Sequence, residues 1–124
     1  MRVLSSTAAL TAAGIVAVTG APAHADAVNL GATVQPGAEV FLTEELVPTA
    51  PYKGKVLVKL ENNGVPTEIK ISNCKGRYLG AVSIIANDHA PYVAADPDTA
   101  PACIRFKVKN LGTTPAAIVG AGYF

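Results

Sequence analysis

Ile104-Arg105-Phe106-Lys107-Val108-Lys109 is the stretch whose reading decides the fold. Apolar and charged residues alternate in it without a break. A strand sends successive side chains to opposite faces, so Ile104, Phe106 and Val108 share one side and Arg105, Lys107 and Lys109 the other. An antiparallel sheet with one buried and one wet face is written this way. Two further stretches repeat the pattern. In 55–61, Val56, Val58 and Leu60 point inward, while Lys55, Lys59 and Glu61 point outward together with Leu57. In 68–72, Ile69 and Ile71 are inside and Glu68 and Lys70 outside.

Working outward, no convincing 3.6-residue stripe follows residue 25. The chain has nine prolines, eight of them beyond that point, and proline in a helix interior removes a hydrogen bond and clashes. Residues 78–86 (YLGAVSIIA) and 116–124 (AAIVGAGYF) are apolar on both faces, which places them as central or loop-covered strands. Residues 27–34 and 38–43 complete a set of seven candidates separated by turn signals. The expected fold is all-β: a single small Ig-like β-sandwich of about seven antiparallel strands, with a small closed barrel as the alternative.

The N-terminus reads differently. Arg2 supplies a positive charge, residues 8–18 (AALTAAGIVAV) are small and apolar, and Ala23-His24-Ala25 is an A-x-A exit. Charged start, short apolar run and small-residue exit describe a secretory signal peptide over residues 1–25. The run is shorter than the roughly 20 residues needed to span a bilayer, so no membrane anchor is expected. Cleavage after Ala25 leaves residues 26–124, of a size for one domain. Arg2 departs with the leader, so nine Lys and Arg face nine Asp and Glu. Such balance gives no electrostatic footprint for nucleic acid or an anionic membrane. Lys53, Lys55, Lys59 and Lys70 cluster, but acids lie among them, as on a solvated strand face.

Cys74 and Cys103 are the only cysteines. In an oxidising compartment two cysteines allow one intramolecular connectivity, so a disulfide is expected. A metal site would need more partners, and His89 is the only histidine after residue 25. Cys103 has the parity of Arg105 and Lys107, and Cys74 that of Lys70 and Ser72, all in the outward sets. The bond therefore ties strand ends at the periphery. It is not the core-crossing bridge that accompanies a buried Trp in antibody domains, and Trp is absent here.

One phrase is written twice: Lys59-Leu60-Glu61-Asn62-Asn63-Gly64-Val65-Pro66 and Lys107-Val108-Lys109-Asn110-Leu111-Gly112-Thr113-Thr114-Pro115. Lysine, asparagine and glycine align, and the prolines then fall out of step by one. A duplicated ligand loop would keep its polar groups in register past the turn. These read instead as two strand-ending corners, with positive φ expected at Gly64 and Gly112. The phrases resemble the strand-ending N-x-G of bacterial Ig-like, cell-adhesion-related sandwich domains. That resemblance implies a spacer or binding module and carries over no catalytic residues.

Chemistry-bearing residues are few. A Ser-His-Asp site would have to draw on Ser72 or Ser83, His89, and Asp88, Asp96 or Asp98, and no G-x-S-x-G elbow surrounds either serine. Asn87-Asp88-His89 and Asp96-Pro97-Asp98 are oxygen-rich, but Asp and Asn beside proline also cap turns, and calcium takes about six to eight oxygen ligands. No catalytic residue, metal or other cofactor is expected. An aromatic sugar platform would fall to Tyr52, Tyr78, Tyr92 and Tyr123. Residues 87–101 (NDHAPYVAADPDTAP) lack a periodic pattern and are long for a connection, which marks them as the candidate binding loop. Its candidate residues are Asp88, His89, Tyr92, Asp96 and Asp98. Residues 44–54 form a second irregular stretch, with Tyr52 as its possible anchor.

The function expected from these readings is that of a secreted, non-enzymatic β-sandwich, a binding or surface module for an unknown extracellular protein or cell-surface component. An inhibitor of an extracellular protease or glycosidase, presenting loop 87–101, is the alternative, and a small enzyme ranks last.

Overall fold

The stretch 104–109 folds as its alternation dictates: Ile104, Phe106 and Val108 are buried, and Arg105, Lys107 and Lys109 are half-buried. The structure, a computed structural model, describes residues 26–48 and 55–124. The expected signal segment and Tyr52 lie outside the described residues. The strands are β1 (Ala27–Val34), β2 (Glu39–Phe41), β3 (Val56–Asn63), β4 (Thr67–Asn73), β5 (Tyr78–Ile84), β6 (Pro91–Ala95), β7 (Ile104–Asn110) and β8 (Ala116–Tyr123). They form two antiparallel sheets, ordered β1-β8-β3-β6 and β2-β7-β4-β5. The fold is the expected all-β sandwich. Its eighth strand, β6, comes from within residues 87–101.

The core lies between the sheets. Leu30, Val34, Val58, Leu60 and Ile118 face Ile69, Ile71, Ile84, Ile104, Phe106 and Val108, each at most 2% exposed. Leu57, expected outside, is on the outer face yet only 5% exposed. It pairs with both Val93 and Tyr123, whose side chains share its row. β8 is central between β1 and β3, as its apolar sequence requires.

β5 departs from expectation. It is an edge strand, and Tyr78 is 64% exposed and the adjoining Ile85 72%. Small residues make this position possible. A Cβ at Gly80 would lie 2.6 Å from the Ala94 carbonyl oxygen and 2.9 Å from the Ala95 Cα, so the β5 backbone closes directly on β6 of the other sheet. That contact is on the inner face, which Gly80 shares with Val82 and Ile84, and the outer face stays exposed at Tyr78 and Ser83.

The two repeated phrases are corners where the chain changes sheet, from β3 to β4 and from β7 to β8. They also pack on each other, with the Leu111 N–H donating to the Pro66 carbonyl at 2.9 Å. Their matching residues are Asn63 and Asn110, both fully buried, rather than Asn62 and Asn110. A bulge between Leu60 and Asn62 inserts one residue into β3 and shifts the register. The Asn110 amide donates to the carbonyls of Val34 and Thr114 at 2.9 and 2.8 Å, and its oxygen accepts the Gly112 N–H at 2.8 Å. The Asn63 amide donates to the Ile85 carbonyl at 2.9 Å.

Positive φ is found at Gly37 and Gly76 and not at Gly64 or Gly112, which corrects the expectation for the corners. Gly64 meets nothing within 4 Å of an added Cβ, whereas at Gly112 that atom would lie 2.9 Å from the Val65 Cβ. Gly64→Ala should leave stability unchanged or raise it by up to about 1 kcal/mol through the unfolded chain's lost entropy. Gly112→Ala should cost about 1–2 kcal/mol from overpacking. Urea denaturation of the two variants measures the contrast, and equal costs would refute this account of the corners.

The disulfide Cys74–Cys103 is present, with Cα atoms 5.4 Å apart. It continues the β4–β7 ladder just beyond the pair Asn73 and Ile104. Both cysteines belong to the same sheet, so the bond is peripheral, as parity required.

Candidate functional site

The five candidate residues of 87–101 do not form one site. β6 separates them, with Asp88 and His89 before it and Asp96 and Asp98 after it, at opposite ends of the strand. Asn87 turns the chain at φ 61°, and its N–H donates to the Asn63 carbonyl at 2.8 Å. This fixes the start of the segment to the β3–β4 corner. Pro91 is tolerated because it is the first residue of an edge strand.

Asp88 and Tyr92 are joined. The Tyr92 hydroxyl donates to one Asp88 carboxylate oxygen, and the other accepts the Ala90 N–H at 3.0 Å. Tyr92 is half-buried against the core, so it braces the turn rather than standing free as an anchor. The Tyr92 hydrogen bond, followed by that from Ala90, holds the Asp88 carboxyl below the usual carboxylate range. The same bond, with desolvation behind it, pushes the Tyr92 phenol above its ordinary value. The signs give a pH expectation. The Asp88 contribution to stability is present above the unfolded-state carboxyl pKa and fades as pH falls through the lower folded value. The Tyr92 contribution is present below the unfolded-state phenol pKa and fades as pH rises through the raised folded value. In an absorbance titration of tyrosine, Tyr92 should ionise late, and Asp88→Asn should return it toward ordinary behaviour. An unshifted phenol in the unmodified protein would contradict the bond.

Among the described residues no hydrogen bond joins Ser83, His89 and Asp88, whose carboxylate is already committed. Ser72 lies on the outer face of β4, beside Arg105. The single cluster of potential metal ligands among the described residues is Glu45, Cys74 and Cys103. Both its sulfurs are consumed by the disulfide, so it offers no thiolate.

A different surface assembles charge and an aromatic ring, the outer face of the β2-β7-β4-β5 sheet. Phe41, 45% exposed, lies beside Lys107 in the register. The Arg105 guanidinium sits 3.5 Å from the Phe41 ring centroid and the Lys107 ammonium 4.8 Å. Cations over a ring face are attracted by its quadrupole. Glu39 bridges Lys70 at 2.7 Å and Lys107 at 3.9 Å, and Lys70 reaches Glu68 at 3.9 Å. The Lys70 hydrogen bond holds the Glu39 carboxyl below its ordinary pKa, and the Lys70 ammonium is correspondingly raised. Arg105, Lys107, Lys109 and Lys70 thus outnumber Glu39 and Glu68 on this face. An Arg105 Nη donates to the Thr43 carbonyl at 3.4 Å, while its buried Nε has no hydrogen-bond partner. Sequence parity identified the cations of β7 as outward-facing. It did not show that β2 lies against β7, although Glu39 and Phe41 share one parity and Val40 and Leu42 the other.

No protein-family model matches the chain, and no curated protein matches it. The crystal structure of PirA is similar, with a TM-score of 0.51 over 86% of this chain and 98% of that one, at 16% identity. A likeness at that identity is one of fold. The disulfide is compatible with an extracellular location. Among the described residues no helix is long and apolar enough to cross a membrane.

Proposed function

We propose that this chain is a secreted, non-catalytic binding or surface module that docks through the outer face of the β2-β7-β4-β5 sheet. The partner is an extracellular protein or cell-surface component with exposed acidic groups. The observation that carries the reading is Phe41, an exposed ring flanked by the Arg105 and Lys107 cations on a face with more cations than acids. Aromatic and arginine side chains are the residue types that most often dominate interface energetics. Rigid strands hold this patch, which lowers the ordering cost of binding. A pull-down from culture medium and cell-envelope extract tests it. The unmodified protein should retain a partner at low salt and release it at high salt. The variant Phe41→Ala/Arg105→Ala/Lys107→Ala should retain none. Equal retention by that variant, or capture that is indifferent to salt, would sink the proposal.

The inhibitor reading keeps one supporting observation. Asp96, Asp98, Thr99, Ala100 and Ala102 are exposed in a proline-bearing segment that ends at the Cys74–Cys103 bond. An inhibitor would present residues 96–102 rather than all of 87–101. Secreted proteases and amylases incubated with micromolar protein should then be slowed, and an unaffected panel removes this reading.

A further inference from the structure

The two sheets have four edges; two carry devices against pairing, and β1 is the longer of the remaining two. β2 is three residues long and carries Glu39. β6 opens with Pro91, and the inner face of β5 at Gly80 covers its backbone at Ala94 and Ala95. Short strands, charge, proline and covering backbone are the devices that stop edges pairing with other chains. β1 has none of them. It runs eight residues, AVNLGATV, without charge or proline.

The unpaired groups of β1 can be named. Asp26 and Phe124 exchange both backbone hydrogen bonds, at 3.0 and 3.1 Å. Bonded pairs alternate with non-bonded ones in an antiparallel ladder, so Val28, Leu30, Ala32 and Val34 bond to β8. Ala27, Asn29, Gly31 and Thr33 turn their N–H and C=O groups away from β8. All four are exposed, and among the described residues no strand pairs with that side.

We propose that β1 is a self-association edge, on which two copies of the chain pair β1 against β1, antiparallel, across a two-fold axis at Gly31. Placing Gly31 opposite itself sets Asn29 opposite Thr33 of the second copy and makes about six backbone hydrogen bonds. It sets Val28 opposite Val34 and Leu30 opposite Ala32 on the inner side, so both cores lie on the same side of one continuous eight-stranded sheet. The half-buried Val28 and Ala32 gain cover. The outer row of Ala27, Asn29, Gly31 and Thr33 is small and uncharged, and nothing in it repels its own copy. The same lack of charge selects against an acidic or basic peptide, which would find no complementary group along the strand.

Light scattering after gel filtration, from about 1 μM to about 1 mM protein, should show the mass rise from monomer to dimer, as for a small, weak interface. Gly31→Lys is the decisive variant. A Cβ there meets nothing within 4 Å and the residue is not in the left-handed region, so the chain should fold. Two lysines would then stand directly opposite each other, and the variant should stay monomeric. Amide exchange of the unmodified protein gives an independent reading, in which Asn29, Gly31 and Thr33 should exchange at least about tenfold more slowly in the concentrated sample than in the dilute one. A monomer throughout with concentration-independent exchange overturns the proposal. So does a dimer that survives Gly31→Lys.

Discussion

Phe106→Ala should lower stability by about 4 kcal/mol, the range for emptying a buried phenylalanine site. For a domain of this size that corresponds to a fall in Tm of roughly 15–20 °C. Phe106 is fully buried and, among the described residues, is the largest side chain so enclosed. It stands opposite Ile71 in the β7–β4 ladder, and its ring lies 6.4 Å from that of Phe124. Across the sandwich it fills the space that Gly122 of β8 leaves. A Cβ there would come within 2.4 Å of the Phe106 Cζ. Ring and missing methyl are complementary, so Gly122→Ala should itself cost about 1–3 kcal/mol by overpacking. Phe106→Leu should partly relieve Gly122→Ala, so the double variant should be more stable than the sum of the singles implies. Denaturant midpoints with unchanged slopes would measure this. A loss below about 1.5 kcal/mol for Phe106→Ala would mean that the ring is not the centre of the core.

How far this core was legible follows from the same residues. Phe106 sits in an unbroken alternation, and period two alone places it inside with Ile104 and Val108. Elsewhere neighbours rather than period decide where a strand lies. β5 looks central because both its faces are apolar, yet it is an edge strand whose outer face stays exposed at Tyr78 and Ser83. β6 was invisible because Pro91 reads as a breaker and Val93-Ala94-Ala95 has no polar beat. With β6 hidden, Asp88, His89, Tyr92, Asp96 and Asp98 read as one loop, although a strand divides them. The corners were recognisable by their shared asparagine and glycine, but a single bulge in β3 moved the structural match from Asn62 to Asn63. The Phe41 patch needed the pairing of β2 with β7. That pairing joins residues more than sixty positions apart, and no local pattern encodes it.

Removing the disulfide should have the next largest effect, about 3.5 kcal/mol and roughly 15 °C in Tm, in Cys74→Ser/Cys103→Ser or after reduction. The bond spans a sequence separation of 29. Where it acts can be argued from the ladder. The Cys74 N–H already donates to the Cys103 carbonyl at 3.2 Å, and Asn73 pairs with Ile104 alongside. In the folded chain these backbones are held together without the sulfurs. The stabilisation therefore resides in the unfolded chain, where the bond denies freedom to a loop containing β5, the Asp88 turn and β6. Two results separate this from a folded-state effect. The denaturant slope should rise in the serine variant, since an unlinked chain exposes more surface on unfolding. Amide protection in β4 and β7 should fall only by the global loss, with no extra opening at Asn73 and Ile104. An unchanged slope together with selective opening beside residues 74 and 103 would move the effect into the folded state. The bond would then be acting as a clamp on the sheet end, and residues 96–102 would loosen with it.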